Sequence, residues 1–120
     1  MFLFRKRKST TTQKIFKTLN INVDPYKIMS TMPVSQRQMV EIAKAVSYES
    51  KIIVFDEPTS SLTDREAQQL FDIIDMLKKK GCGIIYISHK MEEILHISDD
   101  VTVMRDGTHV ATERAENLTM

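Results

Sequence analysis

Asp56 and Glu57 stand side by side at the end of an apolar run, Ile52-Ile53-Val54-Phe55. Nucleotide hydrolases present a magnesium ligand and a water-activating base in this way, as two adjacent carboxylates at the exit of a strand. Taken alone, the pattern also fits a core strand leaving into a polar loop. The residues that follow, Pro58-Thr59-Ser60-Ser61-Leu62-Thr63-Asp64-Arg65-Glu66, and the later Tyr86-Ile87-Ser88-His89-Lys90 favour the chemical reading.

The glycines bound that chemistry. There are three, Gly81, Gly83 and Gly107, so no phosphate-cradling G-x-x-x-x-G-K-[ST] loop precedes the carboxylate pair. The carboxylates therefore read as one part of a larger domain whose phosphate-holding part lies elsewhere.

Several elements must position these groups. Residues 9–20 read as a short helix with Ile15, Phe16 and Leu19 on one face, and Asp24-Pro25 marks a turn. Met32-Pro33-Val34 reads as an extended approach to a second helix. Ser35-Gln36-Arg37-Gln38 fits an S-x-x-Q capping box, and Met39, Ile42, Ala43 and Val46 follow at helical spacing. Residues 52–55 predict a buried strand. Thr63-Asp64-Arg65-Glu66 is a second capping box, opening a helix that buries Ala67, Leu70, Phe71, Ile74 and Leu77. Lys78, Lys79 and Lys80 suit the negative end of that helix, and Gly81 suits its C-terminal cap.

Residues 83–87 predict a second buried strand, followed by a helix over 91–97 that groups Met91, Ile94 and Leu95. Asp106-Gly107 between residues 101–104 and 108–111 is a hairpin signal. Strand, helix, strand, helix and hairpin predict an α/β fold with a parallel sheet and flanking helices.

Composition narrows the function classes. The 120 residues make one domain or part of one, and 17 basic against 16 acidic residues give no bulk attraction for nucleic acid. One cysteine, Cys82, excludes an intramolecular disulfide and reads as a small half-buried residue beside a turn. The longest apolar runs are too short to span a bilayer. At the N-terminus, apolar residues 1–4 precede basic residues 5–8, the reverse of a signal peptide; the basic run reads as a solvated end with some capacity to touch anionic lipid.

Four motifs in fixed order, Pro33-Val34-Ser35-Gln36-Arg37-Gln38 before a helix, Asp56-Glu57-Pro58 ending a strand, Ser60-Ser61-Leu62-Thr63 at the next helix start and Ser88-His89-Lys90 ending the next strand, resemble the ATP-binding domain of ABC transporters. The resemblance runs over residues 12–120, from the family's signature motif through its Walker B, D-loop and H-loop. It is nearest to carbohydrate importers of galactose or ribose type that carry two ATP-binding domains in one chain, and within them to the first domain. The implied fold is a partial P-loop NTPase. Residues 1–50 would be a partial helical subdomain with the signature, and residues 51–120 a partial ATPase core.

The resemblance implies roles residue by residue. Asp56 would hold Mg²⁺ through its water shell, and Glu57 would polarise the water that attacks the γ-phosphate of ATP. His89 would contact that phosphate and the partner domain's D-loop, while Ser60, Ser61, Leu62 and Thr63 would form this chain's D-loop. Pro33, Val34, Ser35 and Gln36 would form the signature that reaches a nucleotide in trans. His96 and His109 match nothing functional and read as surface residues.

The signature departs from the family's usual LSGGQ. It reads Met32-Pro33-Val34-Ser35-Gln36, with proline in place of the usual serine and neither glycine kept. Thr63 stands where the family commonly has Asp. In the fold that the resemblance implies, a strand bearing the phosphate loop lies between the strands that end at Asp56-Glu57 and at His89; it is missing here, so residues 52–55 and 84–87 would each lose a ladder neighbour, and Leu118-Thr119-Met120 reads as the cap of a helix that never arrives. The implied function is coupling of ATP hydrolysis to sugar uptake at the cytoplasmic face of a bacterial membrane. The implied partners are a second ABC ATPase domain, membrane permease subunits and a periplasmic or extracellular sugar-binding protein, with no nucleic acid. The alternatives are a non-catalytic truncated or relic fragment that docks on intact ATPase domains, and an ABC ATPase acting on DNA or ribosomes.

Overall fold

A computed structural model describes the backbone of residues 6–119 and the side chains of residues 11–119. Residues 1–5 and Met120 lie outside the described residues, as do the side chains of residues 6–10, so the basic run at 5–8 is not described at its side chains.

Helix α1, Lys6–Thr18, begins three residues earlier and ends two residues earlier than its sequence pattern predicts. It places Phe16 and Leu19 in the core beside Ile21. A short 3-10 turn, Met29–Thr31, leads through extended Met32 and Pro33 into α2, Val34–Ser47. The capping box predicted at Ser35 is not formed. Pro33 is the N-cap, with φ −55° and ψ 153°, and makes no side-chain cap. Its ring fixes a φ suited to a helix approach, so the helix starts at Val34 and Ser35 falls inside the first turn, where its side chain is no longer at the capping position. Met39, Ile42 and Ala43 are buried as their spacing predicts.

Strand β1, Ile52–Asp56, and strand β2, Gly83–Ile87, are direct parallel neighbours, in register from Ile52 opposite Gly83 to Asp56 opposite Ile87. This corrects the expectation that each would lack a ladder neighbour on the side facing the other. Helix α3, Asp64–Lys79, is the crossover that returns the chain to the adjacent ladder position, giving one βαβ unit. The ladder continues at both ends, from the Gly83 amide to the Lys51 carbonyl and from the Glu57 amide to the Ile87 carbonyl, each at 2.8 Å.

The two strands are not buried on both faces as expected. Ile53 and Phe55 face the core with Leu70, Ile73, Ile74 and Leu77 of α3. On the other face Ile52, Val54, Ile85 and Ile87 are 63%, 56%, 52% and 47% exposed. The physical reason is that α1, α2 and α3 contribute to a single core on one side of the sheet.

The α3 capping box forms as predicted: the Glu66 amide donates to Thr63 Oγ1 at 3.3 Å and the Thr63 amide to Glu66 Oε2 at 2.9 Å. Its buried stripe includes Ile73, absent from the prediction, while Ala67 and Phe71 are only half-buried. Gly81, at φ 83°, ends the helix in the left-handed conformation that glycine adopts without strain.

Helix α4, Met91–Ile97, follows β2. Strands β3, Asp100–Arg105, and β4, Thr108–Arg114, form the predicted hairpin. Asp106 and Gly107 have φ of 51° and 74°, both positive, as a type I′ turn requires. The hairpin is a separate two-stranded sheet, joined to α3 by the Lys78–Asp99 ion pair at 3.2 Å. The end of the chain forms a 3-10 turn, Ala115–Asn117, rather than opening a helix within the described residues.

Candidate functional site

The ends of two adjacent parallel strands create the site. Asp56 is the last residue of β1 and is exposed. Glu57 turns away from the strand with φ 45°, a left-handed backbone uncommon for a residue with a side chain. Such conformations persist where surrounding structure imposes them, and they cluster at functional sites. Here the imposing contacts are the Glu57 amide bond to Ile87 and the fully buried Pro58 and Thr59 that follow.

The Glu57 side chain reaches across to the residue beyond β2. Its Oε1 lies 3.0 Å from His89 Nδ1, with Glu57 37% and His89 80% exposed. In the tautomer with hydrogen on Nδ1 the imidazole donates and the carboxylate accepts, leaving Oε2 for a water. The structure thus brings Asp56, Glu57 and His89 together at one sheet end.

Pro33, Val34, Ser35 and Gln36 stand elsewhere, at the start of α2, and among the described residues no hydrogen bond or ion pair joins them to the carboxylates. Gln36 Oε1 accepts from Lys27 Nζ at 3.2 Å. Ser60, Ser61, Leu62 and Thr63 form the turn from β1 to α3, where the Ser60 amide donates to the Glu57 carbonyl and the Leu62 amide to the Thr59 carbonyl. Ser60 is exposed, and Ser61 and Leu62 are half-buried.

Behind these residues lies a network that motif reading does not single out. Thr59 Oγ1 is 2.8 and 2.9 Å from the two oxygens of Glu93, to which it donates. Tyr86 donates its phenol hydrogen to Glu93 Oε2 at 2.9 Å. Lys90 Nζ donates to Thr59 Oγ1 at 3.3 Å and pairs with Glu93 Oε1 at 3.5 Å. Burial, and then the hydrogen bond to Glu93, push the Tyr86 phenol well above its ordinary pKa, so it stays a neutral donor. The sequence signal is faint: a threonine after the proline, and Glu93 three residues beyond Lys90 on a short helix.

The two remaining histidines are exposed. His96 meets Phe71 edge to face, with ring centroids 5.9 Å apart, and His109 Nε2 lies 3.0 Å from Thr112 Oγ1. Cys82 is half-buried, and its thiol lies 3.3 Å from the Ser50 carbonyl.

Among known proteins, a family model described as ABC transporter matches residues 3–60, which include Asp56 and Glu57. The galactose/methyl galactoside import ATP-binding protein MglA of Clostridium perfringens (strain SM101 / Type A) is 64% identical over 120 residues, all of this chain and 23% of that protein. The protein of the same name from Escherichia coli (strain K12) is 54% identical over 120 residues, again all of this chain and 24% of that protein. This chain therefore spans about a quarter of the length of the curated relatives it matches. Two solved ATP-binding cassettes of ABC transporters share the fold. One is similar at a TM-score of 0.79 and 26% identity, over 97% of this chain and 46% of that one. The other, nucleotide-free, is similar at a TM-score of 0.79 and 25% identity, over 93% of this chain and 44% of that one.

Proposed function

We propose that this chain, which shares the fold of solved ATP-binding cassettes and is 54–64% identical to about a quarter of the length of its curated relatives, is part of an ABC transporter ATP-binding domain and supplies the hydrolytic carboxylates of a sugar-import ATPase. The observation that carries the proposal is the convergence of Asp56, Glu57 and His89 at the ends of β1 and β2, with Glu57 Oε1 3.0 Å from His89 Nδ1. The substrate of the whole protein is ATP. The transported cargo is a galactose or methyl galactoside type sugar, as in the names of the 64% and 54% identical relatives.

In this reading Glu57 accepts a proton from the attacking water through the oxygen that His89 leaves free. Such a base contributes roughly 10²–10⁴-fold. His89 fixes the carboxylate's orientation and contacts the transferred phosphate. The residues fit Mg²⁺: it uses one or two carboxylates, keeps several waters and takes its remaining ligands from substrate phosphates. Asp56 supplies an exposed oxygen donor of that kind, and the described residues hold no cluster of three or more acidic, histidine or cysteine ligands of the sort that would form an all-protein cage. When bound, the ion neutralises charge on the phosphate oxygens.

The site needs a phosphate loop, which residues 1–80, without a glycine, do not contain. Residues 1–50 then belong to the helical subdomain and residues 51–120 to the ATPase core. Pro33, Val34, Ser35 and Gln36 face a second ATPase domain's nucleotide, and Ser60, Ser61, Leu62 and Thr63 lie at that dimer interface. The partners are permease subunits and a sugar-binding protein, at the cytoplasmic face of the membrane. No helix among the described residues is long and apolar enough to cross a membrane.

The test is ATP turnover by a domain that joins these residues to a phosphate loop. Glu57→Gln is expected to bind ATP as the parent does and to lose turnover by roughly 10²–10⁴-fold. Parent-rate hydrolysis at unchanged nucleotide occupancy would overturn the assignment. Calorimetry of the 120-residue chain with Mg-ATP is expected to show no saturable binding at low micromolar concentration, because the carboxylates alone repel the triphosphate.

A further inference from the structure

Glu57 is held in a left-handed backbone, and what holds it lies one layer beneath the site. The residue two positions on, Thr59, is buried to 2% exposure and carries a hydroxyl that must find a partner. That partner is Glu93 of α4, reached through 34 positions of sequence. The same carboxylate accepts from Tyr86 of β2, directly opposite Phe55 of β1 in the ladder. Lys90, beside His89, closes the circuit onto both Thr59 and Glu93. One carboxylate thus ties together the loop that carries Glu57, the strand that leads to His89, and the helix that follows His89.

We propose that Glu93, with Thr59 and Tyr86, is a positioning group that sets the separation of Glu57 and His89 and so holds the base in register with its water. The proposal rests on the reading of Glu57 as the base. None of the three side chains contacts Glu57 or His89 by a hydrogen bond among the described residues, so the positioning is indirect. Two details favour positioning over general stability. The three partners come from three different elements that meet at the sheet end where the site lies. Three donors also converge on the one Glu93 carboxylate: the Thr59 hydroxyl, whose single hydrogen lies within reach of both oxygens, Tyr86 on Oε2, and Lys90 3.5 Å from Oε1. Loss of one donor therefore lets the carboxylate and the Glu57 loop shift rather than merely lowering a contact's strength. Displacements near 1 Å remote from the chemistry lower rates by roughly 10²-fold.

The experiment uses a domain joining these residues to a phosphate loop, with kcat and KM for ATP, nucleotide occupancy and thermal stability measured together. Tyr86→Phe removes one hydroxyl and Thr59→Ser keeps one, so both fold in a site of nearly unchanged shape. Tyr86→Phe and Glu93→Gln are expected to lower kcat by roughly ten- to a hundredfold with KM within about twofold. Thr59→Val is expected to do the same, and Thr59→Ser to return most of the rate. Glu57→Gln runs alongside. If it abolishes turnover while Tyr86→Phe and Glu93→Gln keep the parent kcat and lose only thermal stability, the positioning role is wrong and the base assignment stands. If Glu57→Gln itself turns over at the parent rate, the reading beneath the proposal fails first.

Discussion

His89 Nδ1 lies 3.0 Å from Glu57 Oε1, although 32 positions separate the two residues in sequence. The contact joins the exits of two neighbouring parallel strands, β1 and β2. On the proposed assignment, His89→Ala removes a hydrogen bond to a charged group, worth about 1.5–3 kcal/mol. Steady-state ATPase assays on a domain with a phosphate loop should show kcat lower by roughly ten- to a hundredfold, with nucleotide binding retained. Unchanged kcat would mean that the imidazole neither orients Glu57 nor touches the phosphate.

Tyr86 gives a prediction in pH. Its phenol is pushed above the ordinary value of 10.0 chiefly by burial, and further by the hydrogen bond to Glu93 and that residue's negative charge. A raised folded pKa means that the folded chain keeps its proton longer than the unfolded chain. The contribution to stability is complete below about pH 10, where both states are protonated, and is lost as pH rises above it. Urea unfolding at about pH 9 and about pH 11 should therefore show a steeper loss of stability in the parent than in Tyr86→Phe. Equal slopes would show that Tyr86 does not titrate with folding.

How far the sequence led depends on which contacts are local. The α3 cap was legible because Thr63 and Glu66 satisfy each other across one turn. The hairpin was legible because Asp106 and Gly107 both take positive φ. The carboxylate pair was legible as the polar end of an apolar strand. Ser35 misled because an S-x-x-Q match is silent about the residues before it, and Pro33, two positions earlier, sets where α2 begins. The adjacency of β1 and β2 was not legible, since hydrophobic periodicity gives strands but not their order. Nor was the Glu93 network, whose partners are separated by up to 34 positions and meet only when Glu93 of α4 reaches both Thr59 and Tyr86.

Thr63 separates a local role from an interface role. It caps α3 through its hydroxyl, with Glu66 reciprocating at 2.9 Å. Thr63→Ala should lower stability by about 1 kcal/mol, within a usual range of about 0.5–2, whereas Thr63→Asp keeps a capping oxygen and should stay near the parent. Denaturant midpoints read this directly. If Thr63→Ala is as stable as the parent, the capping box contributes nothing here. If Thr63→Asp is equally stable but changes turnover in a paired ATPase, the position acts at the D-loop interface as well.

The two faces of the β1–β2 sheet should respond oppositely to substitution. Val54 and Ile85 are register partners on the open face, 56% and 52% exposed, whereas Phe55 on the other face is buried at 5%. A two-stranded sheet is marginal without a covering layer, and exposed apolar strand surface promotes association. The 120-residue chain should accordingly self-associate and unfold well below about 60 °C, the middle of the mesophile range being lower still. Val54→Thr with Ile85→Thr keeps β-branched residues suited to a strand, while taking apolar surface away from water. Sedimentation should show less association, with stability changed by no more than about 0.5 kcal/mol, as for surface substitutions generally. Phe55→Ala should instead cost about 3–5 kcal/mol, through lost burial and the cavity left among Ile53, Leu70 and Ile74. If the double threonine variant were destabilised as strongly as Phe55→Ala, the open face would be covered in solution, and the single core on one side of the sheet would be wrong.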